Sequence, residues 1–275
     1  MSLSFGAFDF ANIGVSGAGI VIDKITDFGR SQMRLTEYPV AGGHGDESYG
    51  EFLAGCVASI EGTVYGDTAV AFKAAKDALN LALAPSVDEK ALTKDDRILN
   101  SKCAVLRFDK LGRYSQDRAM TFRADFKAQS ACLFGTTLNS QQIDLPTAEG
   151  GRSFPKAYPK SYGTVQVGGS ATLNNAGTFP MSPIVRIYGP TDNPTVENYT
   201  TGKQVSLALS IADGDYIEID MAKKTVMLNG TASRFSSLAD RDFWDLQPGG
   251  NDIRYSAQTV QTGSYIVVDY RDAWL

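Results

Sequence analysis

The sequence predicts a mainly β protein in two domains, with one helix in the first, and three observations carry that expectation. The stretch Gly214–Gly230, GDYIEIDMAKKTVMLNG, alternates twice between apolar and polar residues. Ile217 and Ile219 stand against Tyr216, Glu218 and Asp220, and then Val226 and Leu228 stand against Thr225, Met227 and Asn229. A period of two sends successive side chains to opposite faces of a strand, so the pair reads as a hairpin with one buried face. Asp213-Gly214 and Asn229-Gly230 bound it as turn dipeptides, because glycine accepts positive φ at little cost. The second observation is a run of about seven such short strands with turn residues between them, the pattern of a β-sandwich. The third is that only the stretch after Asp67 has a helical period.

The totals allow this and exclude several alternatives. A chain of 275 residues accommodates one large or two ordinary domains,. Hydrophobic residues make up 43% and charged residues 21%, a composition that can bury a core and does not read as disorder. A net charge of −5, with no Lys/Arg cluster, argues against nucleic-acid and anionic-membrane binders,. Cys56, Cys103 and Cys132 are far apart and form no CxxC spacing, which predicts reduced, buried thiols in a protein made in a cytoplasm,. The apolar N-terminus lacks a basic lead and is interrupted by Asp9, so it is not expected to be a signal peptide,. No run is long and apolar enough to suggest a membrane helix.

In the first half, Gly19–Ile25 and Met33–Pro39 read as strands, followed by a Gly-rich loop, Val40–Gly50. Phosphate-cradling loops need a helix N-terminus directly after them. This one leads to a strand at Val57–Tyr65 with Ala58, Ile60, Gly62 and Val64 on one face, so a surface extension is expected instead,. His44, the only histidine, has neither the cysteine neighbours of a zinc site nor a nucleophile tied to it,. The helix begins at an N-cap, Asp67 or Thr68, places Phe72, Ala75, Leu79 and Leu83 on one face, and ends before Pro85,. Two strands follow, with Ala104, Leu106 and Phe108 inward on one, and Met120, Phe122, Ala124 and Phe126 inward on the other. The outward face of the latter, Thr121, Arg123, Asp125 and Lys127, is mixed in charge and suits either solvent or inter-subunit ion pairs. The polar segment 110–117 suits a hairpin tip.

From Gln141 to Gly163 the composition shifts to Pro, Ser, Gly and Lys, which marks a junction between domains at 1–140 and 164–275,. Beyond it, strands are expected at Val165–Val167, Ala171–Leu173, Ile184–Tyr188, Val205–Ile211, Tyr216–Asp220, Thr225–Leu228 and Tyr265–Tyr270. Phe243, Trp244 and Leu246 precede the turn Pro248–Asn251, and they suit a core end-plug better than a sugar-stacking platform,. Asp213, Asp215 and Asp220 are carboxylates at turns and outward strand positions, with no sign of the paired geometry that acid/base catalysis requires,. The sequons at Asn198 and Asn229 are read as incidental,.

A set of ordered motifs then points to a family. Asn175-Ala176-Gly177-Thr178-Phe179-Pro180-Met181-Ser182-Pro183, Asn198-Tyr199-Thr200-Thr201-Gly202, the Gly214–Gly230 hairpin, Phe243-Trp244-Asp245-Leu246-Gln247-Pro248-Gly249-Gly250-Asn251 and the closing Val268–Leu275 follow one another. This series resembles the C-terminal domain of the distal tail protein of long-tailed, non-contractile bacteriophages. The first half, with Pro39 and its glycine-rich loop, the Val57–Tyr65 strand, the helix and a strand closing near Cys132–Gly135, is similar to that family's ring domain.

The resemblance implies a barrel-like or sandwich ring domain with one helix, then a galectin-like sandwich. It also implies a homohexameric ring at the end of the tail tube, partnered by tube and tip or receptor-binding proteins. DNA would pass through its centre without specific binding, and the ring's place would be the virion, after synthesis in the bacterial host cytoplasm. Catalysis, cofactors and metals are not expected. Ring closure needs head-to-tail contacts, for which strand edges and the glycine-rich loop are the natural donors. Candidate ring contacts are therefore Tyr38, Pro39, His44, Tyr49, Arg123, Asp125 and Lys127. The galectin sugar site does not carry over, because His44 lies in the other domain. An alternative reading is a carbohydrate-binding module or adhesin, with Trp244 as its glycan contact.

Overall fold

A computed structural model describes residues 2–29, 31–110, 118–145, 169–258 and 263–275. The chain divides into two units, Met1–Thr136 with Trp274–Leu275, and Thr137–Ala273. Each is mainly β.

The first unit runs β1 (Leu3–Phe5), β2 (Phe8–Asp9), β3 (Ala18–Thr26), β4 (Met33–Pro39), β5 (Asp46–Leu53), β6 (Val57–Gly66), α1 (Ala69–Ala82), β7 (Lys90–Lys94), β8 (Arg97–Lys110), β9 (Ala119–Lys127) and β10 (Leu133–Gly135). One sheet has the order β2-β1-β7-β8-β9-β6-β3. The long strand β8 lies in its middle and links its two halves, pairing β7 through Arg97–Ser101 and β9 through Lys102–Lys110. The expected inward row on β9 is present: Phe122, Ala124 and Phe126 are buried with Ala58 and Ile60 of β6. Ala104 departs from expectation and is exposed. The register shifts between Cys103 and Val105, so Ala104 is the extra residue of a bulge, and alternation resumes only at Leu106.

Helix α1 forms as its sequence dictates. The Thr68 side chain accepts from the Ala71 N–H at 3.1 Å, satisfying one of the free donors at the helix start,. Phe72, Ala75 and Leu79 are buried, Phe72 and Ala75 packing with Val64 of β6 and Leu79 joining the main core. Among the described residues, strands β4 and β5 pair only with each other. Asp46–Gly50, expected to be loop, belongs to a strand that runs to Leu53, and only the turn between Pro39 and Asp46 remains of the predicted Gly-rich loop. The tip expected at 110–117 lies, after Lys110, outside the described residues.

The second unit is a sandwich of two antiparallel sheets. It comprises β11 (Asn139–Asp144), β12 (Ser170–Asn175), β13 (Ile184–Tyr188), β14 (Thr191–Asp192), β15 (Thr195–Asn198), β16 (Lys203–Leu207), β17 (Ser210–Ile211), β18 (Tyr216–Asp220), β19 (Thr225–Leu228), β20 (Ala232–Ser233), β21 (Leu238–Arg241), β22 (Gly249–Ser256) and β23 (Tyr265–Tyr270), and the closing β24 (Ala273–Trp274) pairs with β10. One sheet is β11-β23-β13-β18-β19-β20 and the other β12-β22-β15-β16-β21. Their inner faces share one core that includes Val185, Ile187, Val196, Val205, Ile217, Ile219, Ile253, Ile266 and Val268.

Strand β11 belongs to this core through Ile143, although Asn139 and Ser140 were expected in the first domain and Gln141–Asp144 in the junction. Its polar sequence, NSQQID, hides a single inward apolar position. The rest of the junction and the strand expected at Val165–Val167 fall mostly in 146–168, outside the described residues.

Candidate assembly site

The β4–β5 hairpin, which carries the first group of candidate contacts, is built from a register of Met33↔Leu53 to Pro39↔Asp46, with an irregularity between Leu35 and Glu37. Tyr38 and Pro39 are on β4, Tyr49 is on β5, and His44 is in the exposed turn between them. Three of the hairpin's apolar side chains are directed at solvent: Met33 is 67% exposed, Phe52 57% and Leu35 50%. These three were not among the sequence candidates. Met33 and Leu35 are spaced as an ordinary half-buried strand would have them, which hid the fact that both are exposed.

Arg123, Asp125 and Lys127 lie elsewhere, on the outward face of β9. Arg123 Nε donates to Asp125 at 3.0 Å, and its terminal nitrogen lies 3.2 Å from Glu61 on β6. The Ser59 hydroxyl donates to Asp125 at 2.6 Å. Burial alone would raise the Asp125 carboxyl, but the Ser59 hydroxyl and the Arg123 guanidinium outweigh it and hold it below its ordinary 3.8,. The ion pair is thus made within the chain. Arg123 and Asp125 line a crevice of about 510 Å³ that reaches the root of the hairpin at Ser31, Gln32 and Gly55. Lys127 does not line it.

At the root itself the Ala54 N–H donates to the Gln32 carbonyl at 2.8 Å. Close by, Cys56 is buried against the Ser31 hydroxyl, with sulfur and oxygen 3.1 Å apart. Cys132 is buried and Cys103 half-buried, all three cysteines are free thiols, and burial pushes the Cys103 and Cys132 thiols up. Among the described residues no group of three or more His, Cys, Asp or Glu is placed to hold a metal, and no helix is long and apolar enough to cross a membrane.

In the second unit the motif residues turn inward. Asn175, Asn198 and Asn251 are buried. Asn251 accepts from the Gln247 N–H at 2.8 Å and donates to the Gln247 and Gly249 carbonyls at 2.7 and 3.0 Å. Asn198 donates to the Asp245 carbonyl at 3.2 Å, and Asn175 to the Phe179 carbonyl at 2.9 Å. These amides fasten the loops at one end of the sandwich, satisfying backbone groups that water does not reach. Burial also removes Asn198 as a glycosylation site.

Trp244 is 1% exposed and lies in the same core, so its ring offers no face to a glycan. The end-plug reading describes it, and the glycan-contact role does not. Asp220, expected outward, is buried because it accepts from the Ala222 and Lys223 N–H groups at 3.0 and 2.9 Å and closes the β18–β19 turn. Asp215 accepts from Asn229 at 2.8 Å. These carboxylates hold turns.

Comparisons with known proteins bear on the same elements. A family model for the C-terminal domain of siphovirus-type tail components matches residues 176–274. Over the whole chain the fold matches the SPP1 Dit (gp 19.1) protein, described as a paradigm of the hub adsorption apparatus in phages infecting Gram-positive bacteria. The TM-score is 0.69 at 12% identity, covering 100% of this chain and 99% of that one. A chain of the phage P2 baseplate in its activated conformation aligns over 95% of this chain and 92% of its own, at 9% identity and a TM-score of 0.48, a likeness too distant to build on. A comparison with curated protein sequences returned no match. The resemblance to distal tail proteins drawn from the ordered motifs is borne out, as is the mainly β fold.

Proposed function

With residues 176–274 a siphovirus-type tail component domain and the whole chain in the fold of a phage hub protein, we propose that the protein is a distal tail protein. In this reading six copies form a ring through their first units. The ring joins the tail tube to the host-recognition apparatus, the second units carry tip or receptor-binding proteins, and DNA passes through the central hole. The protein acts in the virion as a scaffold, without catalysis.

One observation supports this above the others. The β4–β5 hairpin is a two-stranded sheet of its own, with Met33, Leu35 and Phe52 exposed. An isolated hairpin is marginal in water, and exposed apolar surface of this kind marks a contact still to be made. A hairpin that reaches onto the next copy supplies that contact, and repetition of an unlike pair of surfaces closes a ring. The Arg123 ion pairs on the β9 face are satisfied within the chain, which favours the hairpin over Arg123 and Asp125 as the principal donor.

The test removes the hairpin. Gln32 and Ala54 are already hydrogen-bonded neighbours, so residues 33–53 can be replaced by two glycines. The shortened protein should remain folded and become monomeric by light scattering, whereas an unchanged assembly mass would overturn the hairpin's role.

A further inference from the structure

Resting on that ring reading, we propose that the hairpin of one copy seats in an apolar groove beside α1 of its neighbour. The groove, about 540 Å³, lies between α1 and the β1–β2 turn and is lined by Phe5, Phe8, Ile13, Ala78, Leu81 and Lys90 among others. Its lining is predominantly apolar, yet it lies open at the surface of a charged protein.

Helix α1 carries two apolar stripes. Phe72, Ala75 and Leu79 face the core. Val70, Ala74, Ala78 and Leu81 recur at helical spacing on the other side, and Val70 and Leu81 are each 78% exposed. The outward face of an amphipathic helix is ordinarily polar, so a second stripe is surface kept for a neighbour. The alanines leave room for a backbone to approach, and Leu81 stands at the groove's lip.

The hairpin of a second copy fits this surface in shape and charge. It is a narrow projection with apolar side chains on it, and the groove is a concave apolar slot. Arg34 is the one fixed cation on strands that also carry Glu37, Asp46 and Glu47, while Lys90 is the only charged residue lining the groove among the described residues. Net negative meets positive, which sets orientation more than strength. The two surfaces are different parts of one chain, so the contact is head-to-tail and propagates around a ring.

Cysteine cross-linking tests the pairing. A double variant, Leu35→Cys with Leu81→Cys, should give a ladder of covalent multimers with a short bis-maleimide. The two single variants, mixed, should stop at dimers, and each alone should stay at the background of the three native thiols. Leu81→Asp, at an exposed position that leaves the melt unchanged, should lower the assembled fraction at least tenfold. An intact annulus with no ladder, or one unaffected by Leu81→Asp, would overturn the groove assignment and leave the ring standing. A Leu81→Cys thiol that reacts as fast in the ring as in the monomer would do the same, as would protection that appears only with tail tube protein added. A wild-type monomer at every concentration would overturn both.

Discussion

Asn175, Asn198, Asn251 and Trp244 come from the motifs that most resemble tail proteins, and all four are buried. Their work is to hold loops and fill the sandwich end. Asn251→Ala leaves the Gln247 and Gly249 carbonyls and the Gln247 N–H without their partner, and should cost about 1–3 kcal/mol, read from denaturant unfolding. The Trp244 indole N–H has no partner among the described residues, so Trp244→Phe should be mild, whereas Trp244→Ala should cost about 3–5 kcal/mol through the cavity it opens. A saccharide platform would show the reverse, with binding lost and stability kept. Asp125 gives a pH signature. Its folded carboxyl is held below 3.8, so its stabilising contribution is complete above that value and disappears as pH falls through the lower folded one. Asp125→Asn should flatten the acid side of a Tm-against-pH plot and leave the slope above about pH 5 unchanged.

At the scale of elements, the hairpin is the part that a lone copy does not explain. Replacing residues 33–53 removes no residue of the described core clusters, so Tm should move by no more than about 2–4 °C while assembly is lost. The same element shows where sequence reasoning stops. β13, β18, β19 and β23 run between the residues expected of them, because each buries one face and writes that face as alternation. The sequence of Asp46–Leu53, DESYGEFL, has no apolar period to read, so its Asp46–Gly50 part passes for a loop. β22 was missed for a related reason: its inward Asn251, bonded to the backbone of the adjoining turn at Gln247 and Gly249, breaks the apolar row with a polar residue. Of the candidate contacts, Tyr38, Pro39, His44 and Tyr49 were legible as belonging to one protruding feature. Met33, Leu35, Phe52 and Leu81 were not, since exposure of an apolar residue is a tertiary fact. Leu81 gave only a faint sign, falling out of phase with Phe72, Ala75 and Leu79.

For the molecule as a whole, an acidic chain with a net charge of −5 suits a passage that DNA crosses without sticking, since phosphate binding needs clustered cations. The hub fold, the tail-component domain and the unsupported hairpin meet in one account, in which the folded unit is complete only when its neighbours are present. The most direct test is the solution mass of the full-length protein by light scattering, with negative-stain images of the same sample. The account predicts a mass of six chains and an annulus with a central hole. A stable monomer at high concentration, its hairpin amides protected from hydrogen exchange without any neighbour, would contradict it.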